Sequence, residues 1–377
     1  MPMQRRLKFV LKTNPGINNY QLTIINVMSD INFLLRDNIK KLIPYASARD
    51  EFSGTAHIFL DANENSLGSA VTPAYNRYPD PHQIKIKEKL TEIKGLPPKN
   101  IFLGNGSDEC IDLLYRAFCN PGKDNVIIHP PTYGMYEVSA HIHDVEVRRA
   151  PLTENFELNL VEFEKQIDEH TKIIWICSPN NPTGNAFKRQ DIEMILNNFD
   201  GLIVIDEAYI NFSRQKSFIR ELTEYPNLVV LQTLSKAWGL AGLRLGMAFA
   251  SESIIDVLNR IKPPYNIGQA TQEIVLKALG GTDIVNEMIR QIVQMRNELA
   301  GEISRLSSVI NVYPSEANFL LVKIKNARKI YDELLNLGIV VRDRSSAPGC
   351  SDCLRITVGT KEQNGRLLDT LRTIGIR

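Results

Sequence analysis

A chain of 377 residues with 43% hydrophobic content is long enough for one large globular domain and a smaller one, each with its own core, and is neither disordered nor fibrous in composition. Its 44 Lys plus Arg against 43 Asp plus Glu give a formal charge of +1, which offers no electrostatic pull on nucleic acid or an acidic membrane, so its ligand should be small. No apolar run reaches the roughly 18 residues of a membrane span, and five scattered cysteines, an odd number, suit a reducing compartment better than a disulfide framework.

In chain order, the first 29 residues lack Asp and Glu and carry Arg5, Arg6, Lys8 and Lys12. A transit peptide is one reading. The ordinary acidic and basic helical pattern after Met28 favours the other, an upstream extension over 1–27 that takes no part in the fold. Apolar residues at helical spacing predict a helix over 31–43, stopped by Pro44, and residues 58–61 read as a short strand. Helix and strand then alternate, with apolar runs at 126–128, 173–176, 202–205 and 228–231. Runs this continuous predict strands buried on both faces, hence an α/β fold with a largely parallel sheet covered by helices on each side. A long helix is expected from 268 toward 306. Beyond it, strands at 319–322, 339–341 and 354–357 alternate with helices, one of them at 331–337. The expected organisation is a segment 28–70 joining a small domain, a large domain over 71–267, and a connector helix plus small domain over 268–377.

Four segments carry candidate chemistry. Gly104-Asn105-Gly106-Ser107-Asp108 follows a strand and opens a helix, so it reads either as a tight turn or as a helix N-terminus presenting N–H groups to a phosphate. It has neither the dinucleotide fingerprint nor the Walker pattern. Ser178-Pro179-Asn180-Asn181-Pro182-Thr183-Gly184 lies just past a buried strand, where parallel sheets place ligand loops, although its residues are also ordinary turn formers. Asp206 ends the apolar run 202–205, a carboxylate at the mouth of a sheet or a satisfied helix cap, with Tyr209 three residues on. Lys236, in Thr233-Leu234-Ser235-Lys236-Ala237-Trp238-Gly239, follows another buried strand among apolar neighbours, with Arg244 eight residues later. A lysine in dry, cationic surroundings loses proton affinity and becomes a usable nucleophile.

Together with Leu60-Asp-Ala-Asn-Glu64, Arg77-Tyr-Pro-Asp80, Val204-Ile-Asp-Glu-Ala-Tyr209 and Leu354-Arg-Ile-Thr-Val-Gly-Thr360, these segments resemble, in order and spacing, the fold-type I pyridoxal-phosphate aminotransferases, and among them the histidinol-phosphate aminotransferase family, over about 33–376. The resemblance implies pyridoxal 5'-phosphate as cofactor, held on Lys236 as a Schiff base, with Lys236 then moving a proton between substrate and cofactor carbons. It implies Asp206 against the pyridine nitrogen, Asn181 and Tyr209 on the phenolic oxygen, and Tyr133 stacked on the ring. Gly106, Ser107, Asp108, Thr233, Ser235 and Arg244 would surround the phosphate. Tyr78 would reach it from a neighbouring subunit, which implies a homodimer with shared sites.

The same resemblance assigns Arg355 to the α-carboxylate of glutamate, and Arg342 with Arg355 to the phosphate of histidinol phosphate. Tyr45, Asn63 and Glu64 match positions at the imidazole end. The implied reaction is L-histidinol phosphate plus 2-oxoglutarate giving imidazole-acetol phosphate plus L-glutamate, a cytoplasmic ping-pong step of histidine biosynthesis. Aromatic amino-acid transamination and threonine-phosphate decarboxylation are the alternatives within the fold, and a non-catalytic binder of the cofactor is the alternative outside enzyme chemistry. Cys350-Ser-Asp-Cys353 has metal or redox spacing but no second pair, and His141 and His143, placed on one strand face, lack a third ligand, so no metal is expected.

Overall fold

The computed structural model describes residues 31–45 and 58–375. The predicted extension over 1–27 lies outside them. Seven strands form the main sheet: β1 (Ile101–Asn105), β2 (Asn125–Ile128), β3 (Glu146–Arg149), β4 (Thr171–Cys177), β5 (Leu202–Asp206), β6 (Leu228–Thr233) and β7 (Leu245–Ala250), in the order β1-β7-β6-β5-β4-β2-β3. Strands β3, β2, β4, β5 and β6 pair in parallel, while β7 runs against both its neighbours.

The alternation of side chains explains why the apolar runs are continuous. Ile174, Ile176, Ile203 and Ile205 enter the core on one face of the sheet. Ile173, Trp175, Leu202 and Val204 enter the core on the other. Both faces are covered by helices, so no position along these strands can be polar without cost. A second sheet, β8 (Val309–Val312), β9 (Phe319–Ile324), β10 (Arg342–Asp343) and β11 (Cys353–Thr357), is ordered β10-β11-β9-β8 and antiparallel throughout. Its core joins Leu320, Val322, Leu354 and Ile356 to Leu299 and Ile303 and to Leu367 and Leu371 of the last helix. Among the described residues no helix is long and apolar enough to cross a membrane.

Several expectations are corrected. The helix over 31–43 is two short pieces, Ile31–Phe33 and Asp37–Lys40, because Arg36 is extended and its N–H bonds to Ala117 O at 3.0 Å. Ile31, Leu35 and Ile39 pack into the large-sheet core, so this stretch joins the large body and not the small domain. Residues 58–60 form no strand, and Ile58 and Leu60 are exposed. The long helix is broken into Gln269–Ala278 and Thr282–Ser304 by Gly280-Gly281, which stabilise helix poorly. Residues 339–341 are not a strand; pairing begins at Arg342. His141 sits in the helix Met135–Ile142 and His143 caps it, with Nε2 2.6 Å from Asp112. All five cysteines are free and buried.

Candidate active site

The carboxyl ends of β4, β5 and β6 release three loops side by side, the arrangement in which open α/β sheets place ligands. Between these loops and β10–β11 of the small sheet lies a cavity of about 350 Å³. Ser107, Asp108, Tyr133, Asn181, Asp206, Tyr209, Thr233, Ser235, Lys236, Arg244, Arg342 and Arg355, all singled out from sequence, line it.

Asp206 closes β5 and is 3% exposed. Burial raises its pKa, opposed by hydrogen bonds from Tyr136 Oη (2.6 Å) and the Ala208 N–H (3.0 Å). A buried carboxylate facing a cavity with only neutral donors is a receptor for a protonated nitrogen. Lys236 lies three residues beyond β6, its Nζ 5.6 Å from the centroid of the Tyr209 ring. Burial lowers its pKa, and the guanidinium groups of Arg355 and Arg244 lower it further against the opposing pull of Asp206 and Asp108. The amine is thereby available nearer neutrality than an ordinary lysine.

The opposite end of the cavity is a cradle for an anion. Gly106 opens the helix Gly106–Phe118 with φ +75°, and its N–H bonds to Arg244 O at 2.7 Å. A Cβ on Gly106 would stand 2.5 Å from Arg244 Nη2, and one on Gly246 would stand 2.2 Å from Ser107 N. Only glycines allow this approach. Arg244 Nη2 donates to Asp108 Oδ2 (3.0 Å), whose Oδ1 accepts from Tyr133 Oη (3.0 Å). Thr233 Oγ1 donates to Ser235 Oγ at 3.0 Å. Gly106→Ala is expected to weaken anion binding here about tenfold, since a left-handed alanine costs roughly 1–2 kcal/mol and displaces the guanidinium. Titration of the protein with pyridoxal 5'-phosphate, with melting temperature as a control on folding, checks this.

On the small-sheet side, Arg355 Nη1 donates to Asn181 Oδ1 at 2.5 Å, and its Cζ lies 5.4 Å from the centroid of Phe319. Arg342 pairs with Arg355 across β10 and β11. Tyr209 packs edge-on against Phe319, centroids 5.2 Å apart, and burial pushes its hydroxyl pKa well up.

Gly106 stands beside Arg244 without lining the cavity, and four other predicted residues lie away from it within one chain. Tyr78 stacks on Tyr265 at 4.4 Å, and together with Asn63 and Glu64 it lines a separate hollow. Glu64 there accepts from Arg77 Nη1 and the Tyr78 N–H, both at 2.6 Å. Tyr45 is 76% exposed on the surface. Conversely, the structure adds residues that sequence reasoning passed over. Tyr136 holds Asp206, and Cys177, Ala208, Ala241 and Arg344 line the cavity. Tyr136 was within reach of the pattern, three residues after Tyr133 on a helix turn, and Arg344 stands two residues after Arg342 in a strand-like segment.

Pyridoxal 5'-phosphate fits this donor set: an activated amine, a buried acid, a glycine and arginine cradle for phosphate, and an aromatic ring between them. Fold and site together define the fold-type I class of pyridoxal-phosphate enzymes. Aminotransferase class I and II is the family whose model matches residues 53–371. A histidinol-phosphate aminotransferase of Cytophaga hutchinsonii is 53% identical over 343 residues, covering 91% of this chain and 99% of that protein. Among solved structures, the histidinol-phosphate aminotransferase of Clostridium acetobutylicum superposes with a TM-score of 0.74 at 25% identity, over 80% of this chain and 91% of that one. That of Sinorhizobium meliloti, solved in complex with pyridoxal-5'-phosphate, gives 0.74 at 23% identity, over 80% and 83%. The chain belongs to the class I and II aminotransferases and, within them, to the histidinol-phosphate aminotransferase family.

Proposed function

We propose that this enzyme transfers the amino group of L-histidinol phosphate to 2-oxoglutarate, giving imidazole-acetol phosphate and L-glutamate in histidine biosynthesis. The observation that carries the reading is the pairing, within one cavity, of a depressed-pKa lysine with an arginine wall. One end suits amine chemistry and the other suits either a carboxylate or a phosphate.

Pyridoxal 5'-phosphate, when bound, supplies the electron sink for breaking the bond to hydrogen at the substrate's amino-bearing carbon. The chain's residues do the rest. Lys236 would hold the cofactor covalently and would move the proton at the substrate's amino-bearing carbon. Asp206 would hold the cofactor's ring nitrogen protonated, and the hydrogen bond from Tyr136 favours the ionised form of Asp206 against the effect of burial. Tyr209, Asn181 and Tyr133, which line the cavity beside Asp206, would hold the cofactor's ring, the first two through its phenolic oxygen. Gly106, Ser107, Asp108, Thr233, Ser235 and Arg244 would hold the cofactor's phosphate. Arg355 takes the glutamate carboxylate by a bidentate contact and, with Arg342, the phosphate of the other substrate.

The reading includes a cytoplasmic homodimer. Tyr78, Asn63, Glu64 and Tyr45 lie off the cavity in one chain, and Leu60, Leu67 and Val71 of the same N-terminal stretch are exposed apolar residues. A second copy packed over this stretch would bring Tyr78 to its partner's phosphate site and the other three to the imidazole end.

The test is single half-reaction spectroscopy. Histidinol phosphate, glutamate, phenylalanine and threonine phosphate are added separately to cofactor-loaded protein, and the cofactor's absorbance change is followed. Rapid conversion by histidinol phosphate and glutamate is expected. Preference for phenylalanine, or carbon dioxide release from threonine phosphate, would overturn the substrate. In the same assay Arg355→Ala is expected to lose about ten- to a hundredfold with both substrates, and Arg342→Ala to lose more with the phosphate than with glutamate.

A further inference from the structure

The small-sheet wall of the cavity carries more positive charge than a carboxylate needs. Strand β10 pairs Arg342 with Arg355 and Asp343 with Leu354, so Arg342 and Arg355 share a face and Asp343 turns away from it. Asp343 is occupied elsewhere, accepting from the Ser345 N–H at 2.9 Å. Arg344, two residues after Arg342, returns to the cavity face. Its backbone is fixed by an N–H bond to Cys353 O (2.8 Å) and by accepting from the Ala347 N–H (2.9 Å).

Like charges set opposite each other in a sheet are destabilising. The burden is visible here, because the pKa of Arg344 is lowered first by burial and then by Arg355 and Arg342. Elsewhere in the cavity the charges are matched: Arg244 has Asp108, and Asp206 acts by its charge on Lys236. Among the described residues no carboxylate lies within ion-pair reach of Arg342, Arg344 or Arg355, and Arg344 Nε is buried without a hydrogen-bond partner. A monoanionic carboxylate satisfies one guanidinium in bidentate fashion, and Arg355 already gives one N–H to Asn181. Three guanidiniums on one wall match a group with three oxygens and two charges.

We propose that Arg344 is a specificity-determining residue, the third cation of the substrate phosphate site, which makes the enzyme select a phosphate dianion over a carboxylate at the same wall. This rests on the function proposed above. Arg342 and Arg355 are sufficient to anchor a carboxylate; Arg344 adds the charge that only a dianion uses. Substrate affinity therefore depends on the second ionisation of the phosphate, near pH 6 for a phosphate monoester.

The experiment compares the parent with Arg344→Gln and Arg344→Lys in the two half-reactions, each measured from pH 5.5 to 8. For Arg344→Gln the expected result is a loss of about ten- to a hundredfold in kcat/KM for histidinol phosphate, carried mainly by KM, against a loss of at most about threefold for glutamate. The rise in affinity for histidinol phosphate as pH passes through 6 should flatten, and Arg344→Lys should restore much of both effects. Histidinol lacking the phosphate should react slowly with parent and variant alike, with no difference between them. Equal losses for glutamate and histidinol phosphate, or an unchanged pH profile, would overturn the proposal and leave Arg344 a support for the loop. A parent that does not convert histidinol phosphate at all would fail the function itself, which is a distinct result.

Discussion

Lys236→Ala is expected to lower turnover by about 10⁴-fold or more, because in the proposed mechanism one side chain would supply both the covalent attachment and the proton transfer. The variant should still bind pyridoxal 5'-phosphate through the Gly106 and Arg244 end, but borohydride should no longer fix the cofactor to the protein. The unmodified lysine carries its own test. A protonated amine does not attack an aldehyde, so capture of pyridoxal 5'-phosphate by the apoprotein must rise with pH through the Lys236 pKa. Burial and the neighbouring Arg355 and Arg244 hold that pKa below the ordinary value, so the midpoint should fall below the roughly 10.4 of a free lysine. Arg355→Ala removes one of the cations and should move the midpoint upward. A midpoint at the ordinary lysine value, or one indifferent to Arg355, would remove the electrostatic argument for this residue.

The central sheet was readable in the sequence because burial on both faces writes a continuous apolar run, as at 173–176 and 202–205. A solvent-exposed edge strand leaves no such mark. Strand β3 is Glu-Val-Arg-Arg and partly exposed, and it forms because β2 offers it a parallel partner. The same limit explains the reverse errors at 58–60 and 339–341, where apolar residues suggest strands but no neighbour pairs with them. Helical periodicity over 31–43 was real, since Ile31, Leu35 and Ile39 do share a buried face. The backbone bond from Arg36 to Ala117, a contact between distant segments, is what breaks the helix.

The candidate site was legible where the residues lining the cavity flank a buried strand, which is true of Asn181, Asp206, Ser235 and Lys236. It was less so for residues whose role depends on packing between elements. Tyr136 reaches Asp206 only because Trp175 stacks beneath its ring at 4.9 Å and the helix Met135–Ile142 lies across the sheet. Arg344 depends on the pairing of β10 with β11, a two-residue strand that no periodicity can announce.

Asp206→Asn is expected to lower kcat by about 10²–10³-fold, the scale of removing one preorganised charge from a dry site. The amide keeps the shape and can still accept from the Ala208 N–H, so the fold should persist. Indeed the apoprotein should melt no lower than the parent, because a carboxylate buried among neutral donors is stabilised poorly and its replacement relieves that cost. A structural residue would behave in the opposite way, losing stability and activity together. The charge has a second effect. Asp206 opposes the lowering of the Lys236 pKa, so its removal should move the midpoint of cofactor capture further down, a shift opposite in sign to that of Arg355→Ala. Tyr136→Phe, which leaves the charge but deletes the 2.6 Å hydrogen bond, should raise the Asp206 pKa further and cost only about tenfold in kcat. If Asp206→Asn retained parental kcat, or if its capture midpoint moved upward, the carboxylate would not be acting on the reacting groups, and the electrostatic influence of Asp206 on Lys236 would have to be abandoned.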